Sequence, residues 1–130
     1  ASGAAIEAAA SNADESIGLA LQAARQARAL RDSLREPIAS SLEIYEPALA
    51  SATQELLDRV QVLAVHVEQA AILRALDLYG VIGDEVEMST KFFSVVGNAP
   101  RQRMTVMQPA VVRKRADGAM GEVVTKGLVV

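Results

Sequence analysis

Cysteine and tryptophan are absent from this 130-residue sequence, and only two Phe and two Tyr are present. Without cysteine there is no disulfide and no thiolate metal ligand, and the redox compartment stays open. With so few aromatic residues, Ala, Val and Leu must do most of the packing, and each Ala buries little area. Small side chains therefore favour closely spaced helices and association with copies or partners.

Histidine occurs once, as His66 between Val65 and Val67. Neither a metal site built on a His pair nor a His-based catalytic triad is predicted within one chain, so His66 is interpreted as a packing residue. The carboxylates of the segment from Asp84 to Glu87 fit no EF-hand spacing and are interpreted as a solvated link. No glycine-rich phosphate loop occurs. We therefore predict a protein that is not an enzyme, with no cofactor and no metal site.

Long uninterrupted apolar runs are also absent. The most apolar window, Val60 to Gly83, contains His66, Glu68, Arg74 and Asp77, and a membrane span rarely tolerates such residues. The window is interpreted as a buried helix of a soluble protein, and no membrane partner is predicted. The sequence gives no further indication of localisation.

Two Ala-rich helical patterns fill the N-terminal two thirds of the chain. Apolar residues recur at steps of three and four, which is typical of helices that bury one face. The pattern predicts helices from roughly Ala4 to Arg35 and from Pro47 to Tyr79, with Gly80 as a left-handed cap. Residues 1–83 are thus predicted to form a helical coiled-coil or bundle segment.

The stretch "REPIASSLEIYEP", Arg35 to Pro47, decides how the two helices are arranged. Each proline disfavours helical geometry in the residue before it. The similar helix lengths favour an antiparallel hairpin. The near-continuous three-four spacing across both prolines favours a single kinked stalk, and this alternative stays open.

After Gly83 the pattern changes to that of strands. Val86, Met88, Thr90 and Phe92 alternate, and Gly97–Asn98 is a turn signal. Asp117–Gly118 is the strongest hairpin signal, and folding there sets Val112 opposite Val123 and Arg113 opposite Glu122. Residues 84–130 are predicted to form a small antiparallel β-meander that packs on the helices or on neighbouring subunits. The predicted fold class is mainly α with a small β part.

Charge is distributed unevenly along the chain. Residues 1–98 hold 7 Lys or Arg against 14 Asp or Glu, whereas residues 99–115 hold five basic residues and no acid. The five are Arg101, Arg103, Arg113, Lys114 and Arg115. We call the segment 101–115 the basic ribbon. It could contact phosphates, or it could protect strand edges or bind the acidic helices of a neighbouring subunit.

The leading hypothesis is therefore an oligomerising structural or adaptor subunit that associates with its own copies and with other subunits. An Ala-rich helical stalk followed by a strand-rich end resembles the general design of subunits of phage tails, fibres and connector-like particles, which implies self-assembly in a virion. This resemblance rests on arrangement and not on a motif, so no functional residue is carried over from it. The residues predicted at the oligomer interface are Ile6, Ile17, Leu21, Leu34, Leu56, Leu63 and Val67. The alternative hypothesis is a nucleic-acid-binding module that uses the basic ribbon 101–115.

Overall fold

The computed structural model describes residues 2–97 and 100–130. The chain is mainly helical with a smaller β part, which confirms the predicted class. The helical elements are α1 (Gly3–Pro37), a π-helical turn (Ile38–Leu42), α2 (Glu43–Tyr45) and α3 (Pro47–Leu73). The strands are β1 (Leu76–Tyr79), β2 (Glu85–Glu87), β3 (Phe93–Val95), β4 (Arg103–Gln108), β5 (Ala110–Lys114), β6 (Met120–Thr125) and β7 (Gly127–Val129). Two predictions extend to residues outside the described ranges. The turn predicted at Gly97–Asn98 includes Asn98, and the helical segment predicted over residues 1–83 includes Ala1.

Helices α1 and α3 pack against each other in opposite directions. Asp14 near the start of α1 pairs with Arg74 just after α3, and Arg31 near the end of α1 pairs with Asp58 in the first half of α3. Between these, Arg28 forms a two-pronged ion pair with Glu68. The chain is therefore a hairpin, and the kinked stalk does not occur.

The chain reverses at the second proline and not at the first. Pro37 lies at the end of α1 and cannot donate a backbone hydrogen bond. The π-helical turn follows it directly, where the hydrogen-bond spacing of the helix changes. The reversal comes at Glu46, whose φ of −140° and ψ of 67° are not helical, and Pro47 then begins α3 in the first-turn position that suits proline. At this tip Ile38 packs with Ala50 and Leu57 in a small buried cluster.

The second helix is shorter than predicted. It ends at Leu73, and Leu76–Tyr79 forms β1, so the predicted helix end at Tyr79 is wrong. Ala75 takes the left-handed conformation with a φ of 56°, and it ends the helix in place of Gly80. Pairing of β1 with β5 buries Leu76, and this tertiary contact overrides the helical propensity of the segment.

The strands form two sheets, and the predicted antiparallel meander is wrong. One sheet has the order β1-β5-β6, and the other has the order β2-β4-β7-β3 with β3 parallel to β7. The alternating run from Val86 to Phe92 is not one strand, because a turn at 90–92 separates β2 from β3. The partner of β3 is β7, which lies more than thirty residues later in the chain. Local alternation does not reveal such a distant pairing.

The hairpin predicted at Asp117–Gly118 is confirmed. Strands β5 and β6 are antiparallel, with Val112 opposite Val123. The Arg113 guanidinium donates to Glu122 Oε1 at 3.0 Å. Gly118 has a φ of 83°, a conformation that glycine adopts at little cost.

Strand β5 joins the two larger buried clusters of the chain. Its residue Ala110 packs with Phe93, Val106 and Val129, which belong to the four-stranded sheet. The next residue, Val111, is fully buried against α1 and α3, where the cluster also contains Leu21, Ala71 and Leu76. Successive residues of a strand point to opposite faces, so a single strand serves both clusters. The helical hairpin and the sheets are thus packed into one unit at the end of the hairpin away from its tip.

Gly18 of α1 lies directly beneath β6. In an exposed helix interior, alanine in place of glycine stabilises by about 1 kcal/mol. Here an added Cβ would lie 2.7 Å from Thr125 Oγ1, so we expect Gly18→Ala to lower the free energy of unfolding by about 1 to 2 kcal/mol in urea titrations. Gly3→Ala is the matched control, because no atom lies within 4 Å of its added Cβ. A Gly18→Ala protein more stable than the parent would contradict the close packing.

Candidate interaction surface

A line of leucines on α3 is exposed to solvent. Leu49, Leu56 and Leu63 are 55%, 61% and 66% exposed, respectively. Residues seven apart lie nearly above one another on a helix, so the three side chains lie in one line along α3. We call these three residues the leucine stripe.

The other apolar line of α3 is covered by the chain itself. Ala50, Leu57, Ala64 and Ala71 each lie one residue after a stripe position or its heptad equivalent, and all are buried. The small alanines let α1 approach closely, which is why this line pairs within the hairpin. α3 therefore has two adjacent apolar lines, one covered by α1 and the sheet and one uncovered.

The tip of the hairpin also exposes apolar side chains. Ile44 is 66% exposed and Tyr45 is 78% exposed. A groove of about 520 Å³ lies beside them, between the π-helical turn and the start of α3. It is lined by Ile38, Glu43, Pro47, Ala50, Ser51, Gln54, Glu55 and Asp58.

The seven residues predicted at an oligomer interface divide into two groups. Leu21 is 4% exposed, and Ile17 and Val67 are half-buried against its cluster, while Leu34 packs on the cluster at the tip. These four serve the interior of the chain. Ile6, Leu56 and Leu63 are exposed and remain available for another chain. Periodicity identified an apolar seam, but it could not tell which part of the seam the hairpin covers.

The five residues of the basic ribbon do not share one face. Arg113 pairs with Asp14 and Glu122, and Lys114 pairs with Asp77 on β1. Arg103 lies 3.5 Å from Glu85 in the other sheet. Arg101 and Arg115 are exposed in the loops that flank β4 and β5. The charge of three of the five is thus balanced by acids of the same chain.

A buried ion cluster at Asp14 was not anticipated from the sequence. The Asp14 side chain is 3% exposed and accepts from Arg74 Nε at 2.7 Å and from Arg113 Nη2 at 2.7 Å. These hydrogen bonds, from Arg74 first, lower the pKa of Asp14 from its usual 3.8 to about 2, although burial by itself would raise it. Its partners lie 60 and 99 residues away in sequence, so no local pattern announces the cluster.

Two glutamines of α1 bind the corner between β4 and β5. The buried Gln22 donates from Nε2 to the carbonyl oxygens of Pro109 and Lys126 at 2.9 and 3.0 Å. Gln26 donates to the carbonyl of Met107 at 2.8 Å. Carbonyls that the strand ladders leave open are satisfied in this way, which fixes the sheets on α1.

The remaining candidate residues form no site. His66 is exposed on α3, and Glu85 of the acidic link lies in β2. Within residues 2–97 and 100–130, no three His, Cys, Asp or Glu side chains lie close enough together to hold a metal ion. Over the same residues, no helix combines the length and the apolar character that crossing a membrane requires.

Comparison with known proteins identifies no relative: no protein-family description, curated protein or solved structure matches the chain.

Proposed function

We propose that this chain is a structural subunit that associates with its own copies, and that the leucine stripe is the surface through which it does so. The observation that carries the proposal is the exposure of three large apolar side chains at seven-residue spacing on a rigid helix. Such spacing is the pattern by which helices pack along a shared seam. Contiguous apolar patches on a protein surface commonly mark interaction sites.

The architecture supports this role. The helical hairpin is held by the buried line of α3, which contains three alanines and Leu57, and by ion pairs such as Arg28–Glu68. A rigid element presents its side chains with little entropy left to lose on association. Of the predicted interface residues, this proposal retains Leu56 and Leu63 and adds Leu49, while Ile6 is exposed on α1 outside the stripe. The proposal keeps the prediction of a protein that is not an enzyme and that needs no cofactor.

The test is the solution mass of the chain and of a stripe variant. Burial of one leucine contributes about 1.5 to 3 kcal/mol. Leu56→Glu removes that contribution and places a charge in the seam, so we expect association at least about tenfold weaker. Multi-angle light scattering over a concentration series measures this as a fall in mass. The variant should keep its helical circular dichroism, because the side chain is exposed.

Leu19→Glu is the matched control. Leu19 is 58% exposed, close to the value for Leu56, but it lies on α1 outside the stripe. We expect the mass of this variant to equal that of the parent. A parent that is monomeric at every concentration would overturn the proposal, and equal effects of the two substitutions would show that the stripe has no special role.

Nucleic-acid binding through the basic ribbon is the rival proposal, and it has less support because Arg103, Arg113 and Lys114 face acids of the same chain. It predicts that the chain binds duplex or single-stranded DNA at low salt and releases it steeply as salt rises, since each phosphate contact releases counterions. A fluorescence-anisotropy titration that finds no binding at low salt would remove it.

A further inference from the structure

We infer that two copies of the chain pair antiparallel along α3, around a two-fold axis at Leu56. This inference rests on the proposed function and adds the direction and register of the pairing. It follows from the spacing of the leucine stripe, from the charges beside Leu56 and from the position of the sheets.

The leucine stripe is complementary to itself in the antiparallel direction. Leu49 and Leu63 each lie seven residues from Leu56. Rotation by 180° about Leu56 therefore sets Leu49 of one copy beside Leu63 of the other and the two Leu56 side chains beside each other. In a two-fold interface the same patch is used by both subunits, so each of the outer contacts occurs twice. Each leucine of the stripe thus meets a leucine of the other copy.

The charges next to the stripe distinguish the two directions. Glu55 and Arg59 flank Leu56, are 66% and 77% exposed, and pair within the chain at 2.8 Å. With a rise of about 1.5 Å per residue, antiparallel pairing sets Arg59 of one copy within about 3 Å, along the axis, of Glu55 of the other. Parallel pairing in register would set Arg59 level with Arg59 and Glu55 level with Glu55, so neither copy would bring an opposite charge to the same level. Opposite charges across a helix seam select partner orientation, so this pair favours the antiparallel direction.

The shape of the chain also favours the antiparallel direction. The sheets pack against the half of the hairpin that holds Leu21 and Ala71, whereas the stripe runs from Leu49 near the tip to Leu63. In an antiparallel pair the two sets of strands lie at opposite ends of the seam.

Distances between spin labels test the direction of pairing. The chain contains no cysteine, so each single-cysteine variant carries one label. Ala48 and Gln69 are exposed residues of α3 and lie on either side of the seam centre. From the helical rise, labels at Ala48→Cys should be about 24 Å apart in the antiparallel pair, and labels at Gln69→Cys about 39 Å apart. A parallel pair in register gives short distances at both positions.

Ala52→Cys is the control, because it lies near the centre and gives a short distance in either direction. A distance of about 24 Å at position 48 and of about 39 Å at position 69, with a short distance at 52, would support the inference. A short distance at 48 or 69 in a protein whose mass is that of a dimer would overturn the antiparallel arrangement and leave the proposed function standing. A monomer at every concentration by light scattering would overturn both.

Discussion

Gly127→Ala should cost the protein about 3 kcal/mol of its free energy of unfolding, or more. A Cβ at this position would lie 2.3 Å from the carbonyl oxygen of Gln108 and 2.7 Å from the amide nitrogen of Ala110. Both are backbone atoms at the corner between β4 and β5, and neither can retreat without breaking the pairing of β7 with β4. Because a domain of this size has about 5 to 15 kcal/mol of stability in total, the loss is a large fraction of it.

Urea unfolding followed by circular dichroism measures the effect, with Gly3→Ala as the control for the general effect of alanine in place of glycine. Gly3 has open space around it, so we expect its substitution to change stability by less than about 0.5 kcal/mol. A Gly127→Ala protein within 1 kcal/mol of the parent, on the same scale as that control, would show that β7 does not approach the β4–β5 corner so closely.

Asp14→Asn should be the second most damaging substitution, with a loss of about 2 to 3 kcal/mol at neutral pH. The change keeps the shape of the side chain but removes the charge that Arg74 and Arg113 share. It also places an amide donor opposite two guanidinium donors. Glu15→Gln is the control at the neighbouring exposed position, and there we expect less than about 0.5 kcal/mol.

The pH dependence of this loss has a defined sign. The pKa of Asp14 is lowered from 3.8 to about 2 in the folded chain. Its contribution to stability is therefore present above pH 3.8 and is lost as the pH falls toward 2. The difference in stability between the parent and Asp14→Asn should be full at pH 7 and pH 5 and should shrink between pH 4 and pH 2. A difference that stays constant across this range would mean that the carboxylate does not bear the stabilising charge.

Local features of this fold could be predicted from the sequence. The three-four spacing marks α1 and α3, and Asp117–Gly118 marks the turn between β5 and β6, because both signals involve residues close together in the chain. The segment Leu76–Tyr79 was mistaken for helix because its two leucines fit either period. Its pairing with β5, more than thirty residues away, decides the outcome.

The candidate surface could be predicted only in part, for a physical reason. Ile17 and Leu63 have the same apolar character, yet one is covered by the chain and the other is exposed. Which line of a helix is covered depends on the crossing of α1 and α3 and on where the sheets rest. Likewise Arg113 belongs to a basic run in sequence, but its charge is balanced by Asp14 across the fold.

The position of β7 has a consequence for the order in which the molecule forms. β7 follows every other strand in sequence but lies between β4 and β3, and within the described residues it is the strand through which β3 joins its sheet. The helical hairpin lies within residues 3–73, so it is synthesised well before β7. During synthesis β3 therefore lacks the strand that joins it to its sheet until residues 127–129 emerge from the ribosome. Among the described strands β7 is synthesised last and closes the sheet, and before its arrival the nascent chain is more open to association with other chains.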